Sequence, residues 1–436
     1  MATLSYIGAP CAPTSGMQIR SFLRSLLVPA LLAIAPTLSG CTEGTGSQSD
    51  DITNVEHTDV ERQSIGNCWL YAEASWVESM HLQATGEKFD ISQSYWTYWH
   101  WYDQVIEEQV GEIETGGFFS VAGDIILKRG LITEAKFVKE DSTSEMSSRQ
   151  STALTKMNQE LSTGRLKDAS SRKNKELVRK VLDEAWQLTS SVKGQITKVF
   201  GKDGSKTFDA TTLTTKGTSI IAPDAFKVRY TERVTDKTKP TIKDTTLDVA
   251  IEEWVEANYP SWGGDTSKRD YQIRVQKALH DAQPVVITWL VDFNAMEGYD
   301  AVLKGSFNMT TLKKAGKPGR QGGHMTVLED YEATTKEFGL LKAGVTLDPN
   351  NVDDAKKLAA ALLPSTSIKF FRIKNSWGAL RDDRASAPGF PGYHDLYMDY
   401  LNGPINWCPD AAEPKSLDKC KSTDTPFESV VLPPGY

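Results

Sequence analysis

Cys68 stands in the run Gln63-Ser64-Ile65-Gly66-Asn67-Cys68-Trp69-Leu70-Tyr71-Ala72. A turn ending in Gly66-Asn67 delivers it to the first turn of a helix, where unpaired N–H groups and the helix dipole stabilise an anion. The thiolate is the nucleophilic form of cysteine, so this is a setting in which a thiol reacts. By position alone a buried structural cysteine is the commoner outcome. Two later segments shift that balance. Gly322-Gly323-His324-Met325-Thr326-Val327 places a histidine just ahead of an apolar run. Arg372-Ile373-Lys374-Asn375-Ser376-Trp377-Gly378 closes an alternating run with an asparagine. A nucleophile, a base and an orienting amide, far apart in the chain, are the parts of a cysteine-based triad. The other cysteines are Cys11, Cys41, Cys408 and Cys420, and no CxxC pair occurs. The six histidines show no HExxH spacing. Neither a metal site nor a cofactor is expected.

The elements that must position these residues are legible in the hydrophobic pattern. Trp69, Ala72, Trp76 and Met80 recur as on one face of a helix that Cys68 opens. Tyr95, Trp96, Tyr98, Trp99, Trp101 and Tyr102 form an aromatic cluster expected in the core rather than around a ligand. Leu154, Met157 and Leu161 fit one short helix. Val178, Leu182, Ala185, Val192, Ile196 and Val199 fit one face of a longer one, ended by Gly201 and Gly204. Residues 202–245 are rich in Thr and Lys with little periodicity. Residues 284–290, 325–328 and 371–373 read as strands, the first two as short apolar runs and the last by alternation. Asp353 to Leu362 reads as a helix within an insertion between the last two strands.

The chain has 436 residues, with 49 Lys+Arg against 57 Asp+Glu, a net charge of −8. This argues against a nucleic-acid binder held by net positive charge. Near the start, Arg20 and Arg24 precede an apolar run from Leu26 to Ile34, too short to span a bilayer but suited to a signal peptide. Leu38-Ser39-Gly40-Cys41 then resembles a bacterial lipobox, which implies cleavage before Cys41 and a lipid on its thiol. A polar tether follows. Met17 suits the true start of such a leader better than Met1. The expectation is an exported, lipid-anchored protein of the cell envelope.

The three motifs, taken in order, resemble those of the papain-like cysteine peptidases: Cys-Trp at 68–69, Gly-His at 323–324 and Asn-Ser-Trp-Gly at 375–378. Ile91-Ser92-Gln93 and Gly116-Gly117-Phe118 are similar to two further family segments. Within that superfamily the sequence is nearest the bleomycin hydrolase and aminopeptidase C branch, through Gly66-Asn67-Cys68-Trp69-Leu70-Tyr71-Ala72, the helical insertion and the stretch 221–226. The resemblance implies an α+β fold of two lobes. The expected organisation is a leader (1–40), a tether (41–60), a helical lobe (61–135), a mostly helical insertion (136–275), a β lobe (276–407) with a hairpin insertion (337–367), and a C-terminal tail (408–436).

It also implies roles. Cys68 would attack the scissile carbonyl, His324 would exchange its proton as a thiolate–imidazolium pair, and Asn375 would orient the imidazole under the cover of Trp377. Gly116, Gly117 and Gly323 would let substrate backbone approach, since they carry no Cβ. The family's oxyanion glutamine lies six residues before the cysteine. Here that position is Arg62, and Gln63, five before, is the expected donor. Cys408 and Cys420 are an expected disulfide, which an exported chain can keep. The expected partners are a peptide or protein substrate and, through the lipid, a membrane. Oligomeric state stays open. Two alternatives stand beside the peptidase: a transpeptidase or amidase on the same triad, and a surface binding protein that has lost turnover.

Overall fold

The computed structural model describes residues 55–208, 215–233, 239–379, 381, 384–408, 420 and 422–436. The expected leader, with its apolar run and Cys41, lies outside the described residues, as does Cys11. The described residues fall within one compact unit. Its fold class is α+β, with a helical lobe and a sheet lobe meeting along the helix that Cys68 opens.

That helix is α1, Cys68–Thr85. Trp69, Ala72, Trp76 and Met80 are all buried, as the spacing predicts. Gly86 ends it in a left-handed conformation (φ 72°), sending its N–H back to the Leu82 carbonyl. Ser92 caps α2, Gln93–Asp103, by accepting from the Tyr95 N–H. The six aromatics of residues 95–102 are buried along α2. α3 (Phe119–Arg129), the short α4 (Glu134–Phe137), α5 (Ser148–Ser162), the short α6 (Ala169–Arg172), α7 (Lys175–Ala185) and α8 (Ser190–Phe200) follow. Residues of α5, α7 and α8 share one hydrophobic core with α1, α2 and α3. These three helices of the expected insertion thus pack into the helical lobe's core, whereas Tyr271 and Val275 near its end belong to the core of the sheet lobe.

Two features depart from the sequence reading. The single longer helix expected over Val178 to Val199 is two helices. Gln187 takes a left-handed backbone (φ 51°), and Thr189 starts the second helix by accepting from the Val192 N–H. The unpatterned stretch after residue 202 contains an antiparallel hairpin, β1 (Lys227–Glu232) with β2 (Thr241–Thr246). Val228 and Tyr230 of β1 are buried, whereas no residue of β2 is. With two buried positions on β1 and none on β2, the hairpin leaves only a short period-two signal in the sequence.

α9 (Leu247–Glu253), β3 (Val255–Asn258) and α10 (Asp265–His280) lead into the sheet lobe. β4 (Val285–Asp292), β5 (Ser306–Phe307), α11 (Met309–Ala315), β6 (Gln321–Thr335), β7 (Gly339–Leu341), α12 (Val352–Ala361), β8 (Ser367–Lys374), β9 (Tyr393–Tyr397) and α13 (Met398–Leu401) build it. The short pair β10 (Ile405–Trp407) and β11 (Ser422–Asp424) precedes β12 (Phe427–Leu432). Eight strands make one sheet in the order β3-β12-β4-β6-β8-β9-β5, with β7 paired to β6. All pairs are antiparallel except β5 with β9. The segment read as a C-terminal tail is therefore partly sheet, with β12 lying between β3 and β4. Its Phe-Glu-Ser-Val-Val-Leu run supplies the buried Phe427, Val430, Val431 and Leu432. Cys408 and Cys420 are joined in a disulfide. No described helix is long and apolar enough to cross a membrane.

A charged network at the end of β8 ties the lobes together. The buried Lys374 ends β8 and donates to Thr58 and to Ser75 of α1, both at 3.0 Å. Thr58 in turn donates to the buried Glu78 of α1. Glu73, also on α1, is fully buried and its carboxyl oxygens have no hydrogen-bond partner, so burial holds its pKa well above the usual carboxylate range.

Candidate active site

Asn67, the residue before α1, does not cap it. Its amide donates instead to Thr97 of α2 and Gln150 of α5. The first turn carries no acidic side chain, so its N–H groups and the positive end of the dipole face the Cys68 sulfur uncompensated. The amides of Cys68, Trp69 and Met325 all act on the sulfur to favour the thiolate.

His324 and Asn375 reach the same place through strand register. β6 and β8 are antiparallel, with Val327 opposite Lys374. Following that register outward by one residue brings Asn375 to the end of β8, and by three brings His324 level with Trp377. The side chains meet accordingly. His324 Nε2 lies 2.8 Å from Asn375 Oδ1, an arrangement in which the imidazole N–H donates and the amide oxygen accepts. The indole of Trp377 stacks on the imidazole with centroids 4.8 Å apart and planes 17° from parallel. Asn375 Oδ1 also accepts from the Ser376 N–H at 2.8 Å. On its other side, Asn375 Nδ2 is 3.4 Å from Nδ1 of the buried His394 in β9. Sequence reasoning missed His394. No alternation marks it, since Tyr393, His394, Asp395 and Leu396 are all buried.

The segment before α1 is zipped onto the Asn-Ser-Trp-Gly motif by backbone bonds. The Gln63 N–H donates to the Ser376 carbonyl at 2.9 Å and the Gly378 N–H to the Glu61 carbonyl at 3.1 Å. This sets Gln63 in the cleft with Cys68 and His324. Its carbonyl oxygen accepts from the Ser376 hydroxyl at 2.6 Å, and its amide nitrogen donates to the Ile65 carbonyl at 2.7 Å. An amide nitrogen carries two hydrogens, so one remains beyond the Ile65 bond. Arg62 instead forms backbone bridges with Trp377 and Met146.

Of the expected substrate glycines, Gly323 lines the cleft and a Cβ there would meet open space. Gly116 is also open. Gly117 is different: a Cβ there would come within 2.4 Å of the Trp69 ring, so this glycine serves the packing of the helical lobe. The Trp69 indole N–H donates to the Thr115 carbonyl at 2.9 Å, and Gln104 clamps Glu114 through both its N–H and its carbonyl. The Gly-Gly segment is thereby fixed beside the start of α1.

The cleft between the lobes has a volume of about 380 Å³. Electrostatically it disfavours charge on its central pair. Burial pushes the Cys68 thiol up to about 11, against the pull of the three backbone amides. Burial takes the His324 imidazole down to about 4. The bond to Asn375 opposes that shift, and the Arg384 charge adds to it. The thiolate–imidazolium pair expected from sequence is therefore not the form that burial favours. A helix terminus contributes about 0.3–2 kcal/mol to an anion. The rise of the Cys68 pKa from 9.0 to about 11 corresponds to a penalty of about 3 kcal/mol.

No protein-family model and no curated protein sequence matches this chain. Among solved structures, it is similar to PepW from Lactobacillus rhamnosis at 12% identity and TM-score 0.37, over 88% of this chain and 81% of that one. It is similar to xylellain, a cysteine protease from Xylella fastidiosa, at 13% identity and TM-score 0.35, over 89% and 86%. It is similar to the clostridial cysteine protease Cwp84 after propeptide cleavage at 11% identity and TM-score 0.29, over 86% of this chain and 55% of that one. Likeness at this level carries no argument about activity.

Sequence reasoning also missed three arginines. Arg320, Arg381 and Arg384 line the cleft on the Trp377 side. The Arg384 guanidinium lies 4.2 Å from the Trp377 ring centroid and 4.4 Å from that of Phe293, and Arg320 lies 4.6 Å from Phe293. No pattern in the sequence marks them, because they come from two loops whose nearness is a product of the fold.

Proposed function

We propose that the protein is a cysteine-type peptidase acting through Cys68, His324 and Asn375. The observation that carries this reading is the 2.8 Å His324–Asn375 bond under Trp377, in the same cleft as the thiol that opens α1. In the proposed cycle Cys68 Sγ attacks the scissile carbonyl carbon as its proton passes to the free nitrogen of His324. The carbonyl oxygen gains negative charge, met by the Cys68 N–H and the remaining Gln63 N–H. The C–N bond then breaks and His324 gives its proton to the leaving amine. Water, deprotonated by His324, hydrolyses the thioester and restores the thiol. His394 holds Asn375, and so acts through the imidazole as a positioning residue.

Export and a lipid anchor at Cys41 belong to the same proposal. They are supported by the lipobox-like Leu38-Ser39-Gly40-Cys41 and by the Cys408–Cys420 disulfide, a bond that persists in oxidising compartments.

One observation favours a second reading, a binding protein on this fold with little turnover: the bond from Gln63 to Ile65 competes with any oxyanion for the amide. A thiol-directed peptidyl probe separates the two. Labelling of Cys68 together with peptide hydrolysis, both lost in Cys68→Ser, is the expected result. A correctly folded wild type that neither labels nor hydrolyses any member of a peptide library would refute the peptidase.

A further inference from the structure

His324 follows two glycines in β6, and a Cβ at either Gly322 or Gly323 would meet open space. Such backbone has little stiffness of its own, because glycine has the widest conformational freedom to lose. Its pairing is also one-sided. β4 accompanies β6 from its first residue, with Asp292 opposite Gln321 and Trp289 opposite His324, whereas β8 joins only at Val327. The strand end that carries the proposed base therefore needs a second restraint.

Gln321 provides one. It opens β6, is buried, and stands in the cleft lining three residues ahead of His324. Its amide nitrogen donates to Asp292 Oδ2 and to the Asn406 carbonyl, both at 2.7 Å, and its amide oxygen accepts from the Cys408 N–H at 2.6 Å. Both amide hydrogens are thus committed within the protein, so this side chain braces the cleft wall and offers no donor to a substrate. Asp292 is fixed in turn, its Oδ1 accepting from the Asn294 N–H at 2.9 Å and the Gly319 N–H at 2.8 Å. Asn406 lies in β10 and Cys408 follows it. β10 pairs with β11, and the Cys408–Cys420 disulfide closes the same pair from its open end. One planar amide therefore holds the start of β6 between β4 on one side and a cross-linked strand pair on the other.

We propose that Gln321 is a positioning residue for His324, and that the disulfide-closed pair β10–β11 is the support it leans on. Gln321 acts through the backbone of residues 322–323, fixing where the imidazole meets Asn375 and Cys68. The inference rests on the peptidase reading for what the imidazole does, but the placing of the imidazole can be read without turnover.

The test uses the full chain with its histidines labelled by a heavy nitrogen isotope. The imidazole N–H that donates to Asn375 is buried and should give a slowly exchanging proton resonance, assigned by its loss in His324→Ala. Gln321→Met keeps the volume and removes all three bonds. Exchange of that proton with water should become about tenfold or more faster, and kcat should fall about tenfold with KM nearly unchanged. Gln321→Glu keeps the size and the acceptor for the Cys408 N–H, but an ionised carboxylate donates nothing to Asn406 and repels Asp292. It should move both readouts the same way, and it decides the matter if Gln321→Met does not fold. Replacing Cys408 and Cys420 together by serine should give part of the same effect, and Gln321→Met should add less on that background than on the wild type. A proton that is absent in the wild type, or that exchanges as slowly in the folded Gln321 variants as in the wild type, would overturn the proposal. Effects of the Gln321 and cysteine replacements that simply multiply would overturn the supporting role of the bridge. Faster exchange in the variants, with no peptide cleaved by any form including the wild type, would sink the peptidase reading and leave the positioning role standing.

Discussion

The state of the Cys68 thiol can be read from the pH dependence of its alkylation. With the thiol pushed up to about 11, the thiolate formed by simple deprotonation is about one part in ten thousand at pH 7. Transfer of its proton to an imidazole held at about 4 is rarer still without mutual attraction, about one part in ten million. The attraction between the two charges, at a contact separation of about 4 Å and an effective dielectric constant of about 20, is about 4 kcal/mol. That raises the ion pair about a thousandfold, to about one part in ten thousand. The two routes to a thiolate are then equal near neutrality. Alkylation of Cys68 by iodoacetamide should be flat from about pH 4 to about pH 7, then climb about tenfold per pH unit towards 11. Stopped-flow measurement of the rate, with the modified residue located by mass spectrometry, gives the profile. His324→Ala should remove the flat region and keep the climb. A wild-type rate that is already maximal at pH 6 and unchanged to pH 10 would refute the reasoning, because it would mean the ion pair dominates despite burial.

Four further outcomes are expected. Gln63→Ala should lower kcat about 100-fold with little change in KM, as for the loss of one oxyanion donor; an unchanged kcat removes Gln63 from that role. His394→Leu should lower kcat about tenfold through a loosened Asn375 and shift the pH profile, while His394→Asn, which keeps an acceptor near the Nδ1 position, should restore much of it; equal rates in all three proteins would leave His394 a packing residue. Glu73 holds its proton in the folded state above the pH at which the unfolded chain loses it, so its contribution to stability falls as pH rises above about 4.5. Glu73→Gln should therefore raise the urea midpoint at pH 8, with the gain shrinking towards pH 4.5; a gain equal at both pH values would contradict this. Replacing Cys408 and Cys420 together by serine should cost about 3 kcal/mol or less for a bridge spanning 12 residues, and an unchanged urea midpoint would show that the loop is held by other contacts.

The parts of the fold visible in the sequence were those with a strong period or an unbroken apolar run. The face of α1 has the period, while α2, β4 and β6 are aromatic or apolar runs buried at nearly every position. The candidate site was legible through the resemblance of its three motifs, with Cys68 opening α1, His324 near the start of β6 and Asn375 just past β8. Elsewhere the determining interactions are not local. The break between α7 and α8 depends on a left-handed Gln187, a conformation its residue type does not announce. Gln63 and Ser376 meet through one backbone bond and one side-chain bond between segments 313 residues apart. The opposing pulls on Cys68 are only half visible for the same reason: the sequence displays the dipole that favours the thiolate but not the burial that opposes it.

β12 lies between β3 and β4, with Val431 opposite Val286. A chain emerging amino end first presents β4 and β6, which bear Val291 and His324 of the cleft, long before the strand that flanks β4 exists. Until residues 427–432 appear, β4 has an open edge and the sheet lobe cannot close. Completion of the sheet beside the cleft therefore waits on residues 427–432, and a chain truncated before Phe427 would leave the β4 edge uncovered.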